Sequence, residues 1–369
     1  MINFKLAELR KKNNLTQQEL GDILNVSHQT ISKWENNVVF PDISILPRIS
    51  TYFCVSVDAL LGLAPLEQGY RPSNSGTVEY WDERLDYLKM IRKSMWNEDY
   101  ILFLIRDVWK IKTPITVLDC GCGYGALGLL IMPLLPEGSK YIGLDFSETM
   151  IELAIRTYQN SKIQAEFILS DILSFQPKVK YDMVISRAVL RHVDDGEMFL
   201  RKMADFLKKD GILVSLECNR EFEADGLYIR GMDYGRLCQH EGLSKLWKTE
   251  LEMQNRDYSI AMKIPHYMKK IGLKNISTRM NDRVTFLESD QEMYDELLEN
   301  FIKAEQWHDE KTDEEIEANI SYYMNHGMSR KEAEDYCRQQ NGIAKYLKKN
   351  RGDVAITKVT GYMISYAWK

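Results

Sequence analysis

Six cysteines in 369 residues, at positions 54, 120, 122, 218, 238 and 337, are too few and too irregularly placed for a disulfide framework, so the fold must rest on an apolar core. Long apolar runs are missing as well. The longest, ALGLLIMPLLP (126–136), is about half of what a bilayer requires, and no amino-terminal targeting segment is visible, so the expectation is a cytoplasmic protein with no membrane partner. Histidines and carboxylates nowhere fall at metal-ligand spacing, so no metal is expected; Cys120 and Cys122 read as the small residues that a tight loop needs. Positive charge is not in excess either: 48 basic side chains face 54 acidic ones. Residues 1–65 hold six of each, which leaves 42 basic and 48 acidic for the rest. A body of that sign is a poor surface for nucleic acid.

What is present begins at 117–125, VLDCGCGYG, with Asp145 closing the run YIGLD twenty positions after the last glycine. A buried strand from Ile115 to Leu118 enters a turn that glycines follow, and a helix opening near Ala126 offers free N–H groups to a polar ligand. An acid at the tip of the next strand can hold both hydroxyls of a ribose. FSETMIELAIRTY follows, with Ser147 as N-cap. AEFILSD then reads as a strand ending at Asp171, YDMVIS as a fourth strand, DDGEMFLRKMADFLKKDG as an amphipathic helix with a glycine cap, and GILVSLECN as a fifth strand. This alternation predicts an α/β fold with a parallel sheet.

The spacing is G-x-G-x-G (Gly121, Gly123, Gly125) after Asp119. That loop resembles the one in class I S-adenosylmethionine-dependent methyltransferases, and the resemblance extends from about Tyr80 to Trp368. It implies a doubly wound, Rossmann-like domain with S-adenosylmethionine as cofactor. By the same resemblance, Asp119, the three glycines, Phe146, Ser186 and Arg187 bind the cofactor, with Asp145 at the ribose and Asp171 followed by Ile172 at the adenine amine. Tyr80 and Trp81 belong to a helix that closes over the cofactor, or else pack it against the sheet. After strand four, SRAVLRHV stands where base-methylating enzymes carry N-P-P-Y. It resembles the small-molecule branch, including the ubiquinone- and menaquinone-type methyltransferases, with a histidine at the position of His192. For a hydroxyl or phenol acceptor His192 is the candidate base, with Arg191, Arg187 and, more remotely, His266 at the acceptor.

A second signature occupies residues 4–61. Thr16 and Glu19 form a capping box with Leu15 and Leu20 as its staple, and Val26, Ser27 and Ile31 repeat the grammar. Two short helices separated by a turn are a helix-turn-helix, and LTQQELGDILNVSHQTISKWENN resembles the repressor/Cro type of DNA-binding domain. The second helix of the pair then enters the major groove with Ser27, His28, Gln29, Ser32 and Lys33, while Gln17 meets a backbone phosphate. Ile31 and Trp34 belong to the core. A plain helical interaction module is the other use of such a fold. The neutral charge balance makes a single copy a weak DNA binder, so a homodimer on a double-stranded operator is expected.

The expected organisation is therefore an all-α five-helix helix-turn-helix head (1–65), a linker rich in proline and glycine (66–77), and a methyltransferase-like domain (78–369) with helical insertions at about 220–262 and 290–350. NISTRMNDRVTFLES is expected as the sixth strand and VAITKVTGYMISYAWK as an edge strand. Functionally, this is a small-molecule methyltransferase joined to a transcription-regulator head. The rival is a regulator whose second domain senses a ligand without turnover. A DNA-modifying enzyme is disfavoured by the acidic body and the missing N-P-P-Y element.

Overall fold

The computed structural model describes residues 4–12, 15–24, 26–36, 38–43, 45–53, 55, 57–62, 95–238 and 241–369. The chain divides into two compact units, Met1–Asn74 with Glu252–Gln254, and Ser75–Leu251 with Asn255–Lys369. The linker at 66–77 and the stretch with Tyr80 and Trp81 lie outside the described residues.

Among its described residues the first unit has five helices: α1 (Leu6–Lys12), α2 (Gln17–Leu24), α3 (His28–Glu35), α4 (Leu46–Phe53) and α5 (Val57–Leu60). Thr16 opens α2 through the capping box. Its hydroxyl accepts the Glu19 N–H at 3.2 Å, and the Glu19 carboxylate accepts the Thr16 N–H at 2.7 Å. Ser27 opens α3 by accepting the Thr30 N–H at 3.2 Å. Leu6, Leu20, Leu24, Ile31, Trp34 and Ile49 meet in one core, each large side chain contributing roughly 1.5–3 kcal/mol when removed from water. The turn between α2 and α3 is close-packed at Gly21, where a Cβ would stand 2.7 Å from the Val26 carbonyl oxygen.

The second unit alternates strand and helix. Helix α6 (Glu98–Phe103) precedes β1 (Thr116–Cys120), α7 (Ala126–Ile131), β2 (Lys140–Asp145), α8 (Glu148–Tyr158), β3 (Ala165–Leu169), β4 (Tyr181–Arg187), α9 (Gly196–Phe206) and β5 (Leu207–Cys218). Then come α10 (Arg220–Asp225), β6 (Leu227–Ile229), α11 (Tyr234–Leu237), α12 (Glu241–Gln254), α13 (Ile260–Lys270), β7 (Lys274–Met280) and β8 (Val284–Leu287). Helices α14 (Tyr294–Ala304), α15 (Asp313–Asn325) and α16 (Arg330–Lys349) lead to β9 (Ile356–Val359) and β10 (Tyr362–Trp368). Seven strands form one sheet in the order β3-β2-β1-β4-β5-β10-β7. The pairs from β3 through to β5 are parallel, and β10 is antiparallel to both of its neighbours. Successive residues feed opposite layers: Val117, Met183 and Val214 join one apolar cluster, and Leu118, Val184 and Leu213 the other.

Four expectations change. The C-terminal strand is interior, between β5 and β7, because YMISYA is buried at every position, whereas KNISTRM is mostly exposed and supplies the edge. NISTRMNDRVTFLES divides into β7 and β8, and β8 joins a separate antiparallel sheet of order β6-β9-β8 that the sequence reading did not contain. The segment 220–262 is accordingly not all helical, since β6 pairs with β9 inside it. Helix α9 stops at Phe206 without a glycine cap. Leu207 already pairs with Tyr181 across the sheet, and Lys208 Nζ holds both Asp182 carboxylate oxygens at 2.9 Å. Among the described residues no helix is long and apolar enough to cross a membrane.

Candidate functional site

The glycine loop leaves the carboxyl end of β1. Gly121, Gly123 and Gly125 take φ values of +78°, +53° and +80°. At Gly121 the requirement is double: besides the left-handed backbone, a Cβ would stand 2.6 Å from the Val189 side chain. The loop is pinned by backbone bonds, with the N–H groups of Gly121 and Cys122 donating to the Leu144 carbonyl at 2.8 and 3.0 Å. Asp145 finishes the clamp. Its Oδ2 accepts the Gly123 N–H at 2.7 Å and its Oδ1 the Ser147 N–H at 3.0 Å. A carboxylate can accept about four hydrogen bonds, so these two do not by themselves exhaust it.

Beside this acid, Phe146 is 39 % exposed and Leu169, paired with Asp145 at the end of β3, is 50 % exposed. Both are apolar side chains left partly open to solvent at the carboxyl ends of adjacent strands. Glycines in left-handed conformations and an acid at the next strand tip fit a nucleoside-bearing cofactor. Asp171, exposed at the end of its strand, also turns the chain, accepting the N–H groups of Leu173 at 3.3 Å and Ser174 at 3.2 Å. Asp119 lies beneath the loop, accepting the Tyr141 hydroxyl at 2.6 Å. Ile172 is part of the core, and Ser186 is buried with its hydroxyl 3.5 Å from that of Ser215. Burial, then the charge of Asp119, pushes the thiols of Cys120 and Cys122 well up, which keeps them inert packing groups.

Arg187 ends β4 as a buried residue, and Leu190–His192 form a single 3-10 turn after it. Arg191 Nε donates to His192 Nε2 at 3.0 Å, so Arg191 is engaged by its neighbour. Burial, and then the charges of Arg191, Arg256 and Arg220, lower the His192 imidazole well below its usual range, leaving it neutral at pH 7. The turn itself hangs on Glu217, a residue the sequence reading passed over. One Glu217 oxygen accepts the N–H groups of Val189 at 2.7 Å and Leu190 at 2.8 Å, and the side chain is fully buried. Burial pushes its carboxyl up to about 7 against the opposing pull of those N–H groups and Arg191. An acid inside the apolar run LVSLEC was the available signal. His266 is not brought here; it sits exposed on α13.

A cavity of about 480 Å³ lies among α10, α12, α15 and α16, with Arg220 and Glu223 on its wall.

In the first unit, His28, Gln29 and Lys33 are exposed along α3, as is Ser27 at its cap; Ser32 is half-buried, while Ile31 and Trp34 face inward. Gln17 donates to Glu35 Oε2 at 2.8 Å, and the same carboxylate accepts Arg10 Nε at 2.5 Å and Nη2 at 3.0 Å. Arg10 also donates to the Leu15 carbonyl at 2.7 Å. One part-buried ion pair therefore joins α1, the start of α2 and the end of α3.

Comparison with known proteins agrees with both units. Residues 6–60 match the helix-turn-helix family model and residues 111–269 match a methyltransferase-domain model. The chain thus carries a helix-turn-helix domain followed by a methyltransferase domain. It is 33 % identical over 118 residues to the ubiquinone biosynthesis O-methyltransferase of Bradyrhizobium diazoefficiens, covering 32 % of this chain and 46 % of that one. It is 28 % identical over 162 residues to its namesake from Pelagibacter ubique, covering 42 % and 66 %. The chain therefore spans only about half to two-thirds of these curated relatives. Among solved structures, phosphoethanolamine N-methyltransferase 2 of Haemonchus contortus is 16 % identical with a TM-score of 0.41, over 73 % of this chain and 52 % of that one.

Proposed function

We propose that this protein transfers the methyl group of S-adenosylmethionine to a small molecule and that its helix-turn-helix head binds a double-stranded operator as a homodimer. The observation that carries the reading is the clamp at the carboxyl ends of β1 and β2, where Asp145 holds Gly123 and Phe146 lies bare beside it. The cofactor's methionine part would rest on Gly121, Gly123 and Gly125, its ribose on Asp145, and its adenine against Phe146, Asp171 and Ile172. When bound, it supplies a methyl group already activated on sulfonium sulfur. The chain then has to align an acceptor and exclude water. Where the acceptor must lose a proton, this reading gives the role of base to His192, neutral at pH 7 and available once Arg191 releases Nε2, with Glu217 fixing the turn that carries both.

Calorimetric titration of S-adenosylmethionine and S-adenosylhomocysteine into the full chain, followed by mass spectrometry of a small-molecule extract, tests this reading. Binding that is lost in Gly123→Val and Asp145→Ala, together with a product heavier by one methyl, is the expected result. No binding would sink the proposal. Binding without a product in any extract would favour a ligand-sensing regulator. Sedimentation velocity with and without duplexes selected from a random pool checks the dimer and the operator.

A further inference from the structure

The cavity among α10, α12, α15 and α16 has an unusual wall. Trp247, Tyr258, Tyr322, Tyr323 and Tyr336 line it with aromatic side chains. Trp247 and Tyr258 are tilted by 35° at 6.1 Å, whereas the other three rings are set nearly edge to face, Tyr322 with Tyr323 at 5.4 Å and 75°, and Tyr323 with Tyr336 at 5.2 Å and 88°. Rings at right angles form a corner and not a flat slot. Two cations line the same space, Arg220 and Lys358, and each is already ion-paired, with Glu223 and Glu305 respectively. A third carboxylate, Glu250, is only 2 % exposed; it accepts Arg256 Nη1 at 3.1 Å and the hydroxyls of Tyr258 at 2.9 Å and Tyr322 at 3.3 Å.

The wall therefore carries two positive and three negative side chains, with Arg256 outside the lining and bound to Glu250. An anion entering this space has to displace a carboxylate from Arg220 or Lys358. A cation leaves both ion pairs in place and meets the aromatic side chains that line the space.

We propose that the cavity binds a lipophilic organic cation, a protonated amine or quaternary ammonium carried on a ring. The claim concerns binding; that this ligand is also what becomes methylated rests on the reading above. About 480 Å³ suits a ligand of one or two rings.

Ligand-observed NMR on the full chain provides the test, using benzyltrimethylammonium, its uncharged carbon isostere neopentylbenzene, and benzenesulfonate. The expected result is a Kd for the cation at least about tenfold lower than for either of the others. Trp247→Leu and Tyr323→Leu weaken the cation at least about fivefold, whereas Trp247→Phe, which keeps an aromatic face, retains it. Equal binding of the isostere, or tighter binding of the sulfonate, overturns the proposal. So does an unchanged Kd in both leucine variants when their thermal unfolding matches the parent. Failure of S-adenosylhomocysteine to bind would count against the methyltransferase reading and leave this result standing on its own.

Discussion

Glu217 shows how much one buried carboxyl can hold. Its raised folded-state value, about 7, means that the folded protein keeps a proton that the unfolded chain releases near 4.5. The contribution is fully present below the unfolded value and is lost as the pH rises through 7, with an upper limit on the order of 3 kcal/mol. His192 has the opposite sign. Its lowered value makes the folded state refuse a proton that the unfolded chain accepts near 6.5, so its contribution is present above 6.5 and lost in acid. Urea denaturation from pH 5 to 8 should show Glu217→Gln flattening the alkaline fall in stability of the second unit, and His192→Gln the acid fall. A Glu217→Gln variant with the parent's pH slope would refute the raised carboxyl. Because the glutamine oxygen still accepts both N–H groups, any loss of turnover in it should appear as a moved pH profile and not as a lost turn.

Among the elements, the helix-turn-helix unit depends most on one interaction. Arg10, Gln17 and Glu35 tie three helices together through a single carboxylate. Burial alone would raise that carboxylate, but the bonds from Arg10 and Gln17 outweigh it and the net shift is downward, so its stabilisation is present above about pH 4.5 and lost as pH falls. Glu35→Ala leaves the part-buried Arg10 without its charge partner and should cost about 1–3 kcal/mol, read as faster hydrogen exchange in α1 to α3. Exchange unchanged from the parent would show the pair to be dispensable. Gly21→Ala should loosen the same region through its clash with Val26 and lower DNA affinity with little effect on cofactor binding. The caps at Thr16 and Ser27 were legible in the sequence because a cap is a local pattern. The Arg10–Glu35 pair was not, since 25 residues separate its members. The same applies to β10, whose place between β5 and β7 depends on pairings with residues more than 80 positions away.

For the whole molecule, the neutral head predicts a steep dependence of DNA binding on dimerisation. If ligand occupancy of the second unit alters the dimer, operator affinity must change with it, and by linkage DNA must alter ligand affinity by the same factor. Fluorescence anisotropy of a labelled operator, with and without S-adenosylhomocysteine, measures this coupling. We expect a change of about fivefold or more; identical affinities would mean that the two domains act independently.

By itself the sequence determined the two-domain plan, the capped helices of the head, the strand and helix alternation, and the glycine loop with its acid. Each of these is written in short-range spacing, in turn chemistry or in residues that only one backbone conformation admits. Tertiary structure alone decided that Asp145 clamps Gly123, that Glu217 suspends the turn bearing His192, that the last strand is interior, and that aromatic residues from distant helices meet around one cavity. Those are contacts between segments far apart in the chain, and no local pattern encodes which of them will be neighbours once the apolar faces have been buried.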